Sequence, residues 1–216
     1  RAHRLMLKLA VLASGRGSNL QALIDAIDAG ELDARIAGVF SDKAGSGALA
    51  IARGAHLAAE HIDPKAHASR AAFDAALFAA VDASGAELIV CAGFMRILSP
   101  EVVAARTSRM INIHPSLLPK YPGLHTHQRA LDAGDREHGA SVHAVIPALD
   151  AGPLIAQTRI AIDPADSPES LAARLLPREH QLLLQVVRWI AADRLRFDAQ
   201  AVHFDEQRLS EPLRVG

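Results

Sequence analysis

The chain has 216 residues, half of them hydrophobic and 22% charged, which suits one domain of generous size with a buried core and excludes a disordered polymer. A formal net charge of -1, with no long block of one sign, offers no basic face for phosphates, so small-molecule partners are expected rather than nucleic acid. No apolar stretch approaches the roughly 20 residues that cross a bilayer, and the basic start Arg1–Leu9 lacks a cleavable hydrophobic leader. The lone Cys91 excludes an intrachain disulfide, sits in an apolar run and reads as a buried thiol. A cytoplasmic protein without membrane contacts is expected.

In chain order, Leu7–Ala13 reads as a strand, Ser14–Asn19 as a glycine loop, and Leu20, Leu23, Ile24 and Ile27 as one face of a helix that Gly30 stops. Ile36–Phe40 is a strand and Gly47–Arg53 a helix. His56–Glu60 gives a third strand, Ser69–Ala83 a helix and Leu88–Ala92 a buried strand. A helix follows Pro100, and Met110–His114 is a strand that runs straight into Pro115. From His114 to His127 the chain reads as irregular, rich in histidine, proline and glycine, and loops of that kind carry function. Ala140–Val145 and Pro153–Ile162 are strands, and a helix reaches from Ser170 to about Ala192, with Ser167 or Ser170 as its cap. Phe197–Phe204 suggests a hairpin at the sheet edge. The alternation predicts an α/β fold, an open, mostly parallel twisted sheet with helices on both faces, in a single domain spanning 1–216.

Two clusters carry chemistry. The loop Ser14-Gly15-Arg16-Gly17-Ser18-Asn19 stands where open α/β sheets bind phosphate, with glycines for close approach and a helix N-terminus beyond. Leu20 replaces the third glycine of a dinucleotide fingerprint, so a single phosphate fits better; a plain tight turn with a cap is the bland alternative. Asn112 and His114 share one strand face by the period of two. An amide beside an imidazole suits acyl chemistry, the one donating to a tetrahedral oxygen and the other moving protons. Asp150, between two predicted strands, is the candidate carboxylate to orient His114. The same spacing also fits a loop-capping histidine and a turn aspartate.

Asn112-Ile-His-Pro-Ser-Leu-Leu-Pro119 followed by Lys120-Tyr-Pro-Gly-Leu-His-Thr-His127 closely resembles the core signature of phosphoribosylglycinamide formyltransferases. The likeness extends to Ser14–Leu20, Ala92–Pro100 and Glu137–His143, and covers nearly the whole chain. It implies a Rossmann-like formyltransferase fold, with a phosphate-binding half at about 7–105 and a catalytic, folate-binding half at about 106–204. The implied activity moves a formyl group from 10-formyltetrahydrofolate to the amine of glycinamide ribonucleotide in purine biosynthesis. Asn112, His114 and Asp150 match the family's catalytic residues, which implies direct attack by the amine with Asn112 and His114 stabilising the oxyanion and Asp150 holding His114 and a water that relays protons. Gly17, Ser18, Asn19 and Glu179 match its ribonucleotide contacts. Arg70, Met95, Arg96, Ile97 and Leu98, with the loop Ile146, Pro147, Ala148, Leu149 and Asp150, match its folate contacts, to which Asn112 also belongs.

The family uses no metal, and His125 and His127 lack zinc-signature spacing, so none is expected. A monomer or weak homodimer is expected. Leu176 stands where relatives carry glutamine, Ala151 where they carry glycine, and Pro147-Ala148 where they carry an acidic pair, which bears on loop geometry and affinity. Formyltetrahydrofolate hydrolases share the core but carry an extra N-terminal domain, for which a strand at Leu7 leaves no room. Methionyl-tRNA formyltransferases add a C-terminal RNA-binding domain, for which the chain ends too early. A non-catalytic nucleotide-binding module on the same fold is the rival of another class.

Overall fold

The computed structural model describes residues 6–216; the first five residues of the basic start lie outside them. Eleven strands and six α-helices follow one another: β1 (Leu7–Leu12), α1 (Ser18–Asp28), β2 (Ala34–Ser41), α2 (Gly47–Gly54), β3 (Ala59–His61), α3 (Arg70–Ala83), β4 (Leu88–Cys91), α4 (Pro100–Ala104) and β5 (Met110–His114). Then come α5 (Thr126–Asp132), β6 (Glu137–Ala144), β7 (Leu154–Ala161), α6 (Pro168–Ala191), β8 (Leu195–Phe197), β9 (Val202–Phe204), β10 (Gln207–Arg208) and β11 (Leu213–Arg214). The eight-stranded main sheet has the order β11-β7-β6-β5-β4-β1-β2-β3, and β6 alone runs against its neighbours. The sheet passes without a break from β4 to β5, across the boundary between the two halves expected from the sequence.

Alternation along β1 shows why the sheet is covered on both sides. Leu9 and Val11 join a core with α1, α2 and α6, while Ala10 and Leu12 join a second core with Phe73, Leu77 and Phe78 of α3. Near-continuous apolar runs such as Leu88–Cys91 are the signature of strands buried on both faces. The long α6 is started by Ser167, whose hydroxyl accepts from the Ser170 N–H while Ser170 reciprocates, so Ser167 is the cap and Ser170 its box partner.

Three expectations are corrected. The stretch after His114 is not wholly irregular: α5 begins at Thr126, a helix of seven residues too short to show apolar periodicity. β6 starts at Glu137, three residues before the apolar run suggested. The hairpin near Phe197–Phe204 pairs β8 with β9 in a separate three-stranded sheet with β10, and the edge of the main sheet is β11 instead. Two residues paired to β7 are too few to leave a sequence pattern. Among the described residues no helix is long and apolar enough to cross a membrane.

Candidate active site

The reversed strand β6 assembles the site. In the β5–β6 ladder Asn112 faces His143 and His114 faces Ser141, so these four side chains leave the same face of the sheet. Ile111, Ile113, Val142 and Ala144 point the other way into the core beneath α1 and α6. One sheet face thus gathers polar groups over a fully apolar back.

Asp150 meets this row from the turn after β6. Its backbone is left-handed (φ 49°), which suits aspartate better than most residues. Next to that turn, any Cβ on Gly152 would strike the Ala144 carbonyl, so glycine is required there, while Ala151 is exposed. The glycine that relatives carry at 151 is therefore not needed for this close approach. Asp150 Oδ2 lies 3.6 Å from His114 Nδ1 and accepts from the Gly123 N–H at 2.9 Å; Oδ1 lies 3.6 Å from His143 Nε2. At 3.6 Å the imidazole contacts are Coulombic rather than hydrogen bonds. Burial pushes the Asp150 carboxyl up, but a proton on the His143 nitrogen that faces it, the Gly123 N–H and positive charge on the His114 ring outweigh it and hold it below the usual carboxylate range whenever those rings are protonated.

Hydrogen-bond partners assign the ring protons. His114 Nε2 is 2.8 Å from the Tyr121 carbonyl, which only accepts, so Nε2 carries a proton and Nδ1 is the nitrogen turned to Asp150. His143 Nδ1 donates to the Ala144 carbonyl at 2.8 Å, which leaves Nε2 to accept from Asn112 Nδ2 at 3.1 Å. The Asn112 amide is thereby oriented and keeps a second N–H. His143 was missed in the sequence; its place opposite Asn112 depends on the β5–β6 register, which the sequence does not reveal.

Asn112, His143 and Asp150 line a cleft of about 110 Å³ with Phe94, Arg96, Ile97, Leu98 and the rest of the loop Ile146–Asp150, while His114 is not part of its wall and meets it through Asp150, 3.6 Å away. Met95 (59% exposed), Ile97 and Leu149 (both 55%) are large apolar side chains left in the open around its mouth. Cys91 is part of the cleft wall but buried, and burial pushes its thiol up to about 12, which makes it inert. The segment at 94–98 is tied at both ends: the Met95 N–H donates to Ser14 Oγ at 2.9 Å, and the Ser99 N–H to buried Asp74 at 2.7 Å. Arg70 is exposed at the start of α3 and is not part of the cleft wall, and neither is Met95.

The glycine loop lies at the carboxyl end of β1, as Gly17 (φ 82°) caps α1 without any side chain to occupy its free N–H groups. A Cβ at Gly17 would sit 2.7 Å from Ala48 Cα, so the loop is pressed against α2. Gly17→Ala combines that clash with a left-handed backbone, and is expected to cost about 1–3 kcal/mol in chemical denaturation. An unchanged unfolding midpoint would contradict the close packing. Asn19 Oδ1 and His180 Nε2 are buried without a partner, and burial pushes Glu179, beside His180 on α6, up to about 7.

Behind the site, His138 (1% exposed) pairs with His127 at 3.0 Å between ring nitrogens. Burial first, then the charge on His127, pushes His138 down to about 4, despite a smaller opposing pull from Asp135. A histidine kept neutral by folding takes its proton more readily when unfolded. The His138 contribution to stability should therefore fall away as pH drops from about 6.5 towards 4, by on the order of 3 kcal/mol at most, while the raised Glu179 carboxyl acts in the opposite sense over an overlapping range. Urea unfolding of the wild type and His138→Gln at several pH values checks this: the wild type should lose stability relative to the variant as pH falls through that window. Among the described residues no group of three His, Cys, Asp or Glu side chains is arranged to hold a metal ion.

Comparison with known proteins identifies the family of the chain. The formyl transferase family model matches residues 7–187. The chain is 45% identical over 203 residues to the phosphoribosylglycinamide formyltransferase of Escherichia coli strain K12, covering 94% of this chain and 96% of the relative. The solved phosphoribosylglycinamide formyltransferase of Coxiella burnetii, in complex with CHES, superposes with a TM-score of 0.93 at 44% identity, covering 97% and 99% of the two chains. A formyltetrahydrofolate deformylase from Pseudomonas putida KT2440 shares the fold with a TM-score of 0.83 at 27% identity, over 94% of this chain and 72% of that one. The chain belongs to the formyl transferase family, and within it to the phosphoribosylglycinamide formyltransferases.

Proposed function

We infer that Asn112, His114 and Asp150 carry the reaction of this family, transfer of the formyl group of 10-formyltetrahydrofolate to the amine of glycinamide ribonucleotide. The observation that supports this most is their proximity: the Asn112 amide, oriented by His143, and Asp150 line one cleft, and His114 turns Nδ1 to Asp150 at 3.6 Å. The neutral amine attacks the formyl carbon, and the carbonyl oxygen gathers charge. The second N–H of Asn112 is the donor for that oxyanion. His114 acts through Nδ1, since Tyr121 engages Nε2; it accepts the proton lost by the attacking amine and passes one to the departing folate nitrogen. The Asp150 carboxylate stabilises the charge that His114 takes up meanwhile. No serine or cysteine nucleophile is required, and Cys91 is unsuited to act as one.

The folate head belongs in the cleft between Arg96–Leu98 and Ile146–Asp150, with Met95 and Arg70 reached only by the parts that extend outside. The ribonucleotide phosphate belongs on the free N–H groups at Gly17, Ser18 and Asn19, and Glu179, which burial raises to about 7, faces its sugar side. No metal takes part in this reading. Both partners are small molecules, taken up by a monomer or weak homodimer in the cytoplasm. The test is an absorbance assay of deformylated folate with and without ribonucleotide. Turnover that requires the ribonucleotide supports transfer; turnover without it means hydrolysis, the activity named for the Pseudomonas putida neighbour.

A further inference from the structure

The row of side chains that begins with His114 and Ser141 continues onto the next strand. Ser141 faces Gln157 in the β6–β7 ladder, so His114, Ser141 and Gln157 stand side by side on the same sheet face. Gln157 is 6% exposed and Ser141 fully buried. Gln157 has no part in the cleft wall and lines a separate surface cavity of about 490 Å³ with Leu118 and Pro119, on the outer side of the loop after β5.

Its bonds reach back to His114. Gln157 Nε2 donates to the Leu118 carbonyl at 2.8 Å and to Ser141 Oγ at 2.9 Å. Ser141 Oγ also receives the Leu118 N–H at 3.1 Å, so both its lone pairs are taken and its single proton goes to the Ser116 carbonyl, 2.7 Å away. Ser116 in turn donates to the Lys120 carbonyl at 2.6 Å, with the Tyr121 carbonyl at 3.2 Å. Tyr121 has a left-handed backbone (φ 55°), and its carbonyl is the one that takes the His114 Nε2 proton. A tyrosine holds that conformation only when its surroundings over-determine it. The links are positional: the Gln157 amide directs the Ser141 hydroxyl, that hydroxyl holds the Ser116 backbone carbonyl, and the Ser116 side chain reaches the Lys120 and Tyr121 carbonyls.

We propose that Gln157 is a positioning residue for formyl transfer: through Leu118, Ser141 and Ser116 it fixes the Tyr121 carbonyl, and so keeps His114 in the tautomer with its proton on Nε2 and its free lone pair on Nδ1, the nitrogen turned to Asp150. This rests on the reading of His114 as the proton-moving group. A neutral imidazole with the proton on Nδ1 has no lone pair there to take the amine proton, so a loosened Tyr121 carbonyl lowers the fraction of competent enzyme without touching either substrate.

Imidazole ¹⁵N spectra of the whole protein, with His114 assigned by its loss in His114→Gln, test this without any turnover. At a pH where the ring is neutral, the wild type should show a protonated Nε2 and an unprotonated Nδ1. Gln157→Met and Gln157→Glu, which keep the shape and remove the donors, should shift His114 towards the other tautomer. They should also lower kcat by roughly 10- to 100-fold, the scale of a misplacement of about 1 Å, with both KM values near wild type. A wild-type spectrum with the proton on Nδ1 overturns the proposal whatever the variants do. So do variants that unfold earlier while keeping kcat and tautomer, which would make Gln157 part of the scaffold only. Full turnover in His114→Gln would instead remove the underlying assignment of the base.

Discussion

Asp150→Asn is expected to lower kcat by on the order of 10²–10⁴, the usual worth of proton transfer by a positioned group, with little change in either KM. Asparagine tolerates the left-handed backbone at this position, and its amide oxygen keeps the bond from the Gly123 N–H, so the turn should survive. What disappears is one negative charge, 3.6 Å from two imidazoles. Steady-state turnover beside a thermal melt separates the outcomes. A variant that keeps more than a tenth of wild-type kcat would remove Asp150 from the chemistry. The pH dependence has a definite sign too. A carboxyl held below its ordinary value stabilises the fold above the unfolded pKa, and that contribution is lost only as pH falls through the lower folded value. The neutral range should show no Asp150 limb.

Asn112→Ala should cost on the order of 10²–10³ in kcat, about 2.7–4 kcal/mol of transition-state binding, as loss of one oxyanion donor does elsewhere. Both substrates should bind nearly as before, because the formyl oxygen carries little charge until attack. His143→Ala makes the companion experiment. It leaves the Asn112 amide in place but removes the acceptor that turns its N–H groups, so it should give a smaller loss than Asn112→Ala. A loss confined to KM in Asn112→Ala would mean that the amide holds the ground-state folate and not the oxyanion.

Much of the architecture was legible because apolar runs such as Leu7–Leu12 and Leu88–Cys91 alternate with helical periodicity and glycine stops. Even the pairing of Asn112 with His114 on one face followed from the period of two. What stayed hidden depends on contacts between distant segments. His143 gains its role only through the register that sets it against Asn112, and Gln157 only through the next ladder. α5 and β11 are too short for any pattern. Arg70 and Met95 came from resemblance alone, and the cleft wall omits both, which no local property of either residue signals.

The reversed strand β6 also ties chemistry to correct folding. A slip of one residue against β5 would turn Ser141 and His143 into the dry compartment beneath α1 and α6 and send Val142 and Ala144 out among the polar groups. Each buried polar group left without a partner would cost about 1–3 kcal/mol. The side chains that serve the reaction therefore act as a proofreading device for strand alignment. Replacing them by apolar residues of similar size would remove an error signal as well as an activity, leaving a chain more tolerant of misregistered sheets.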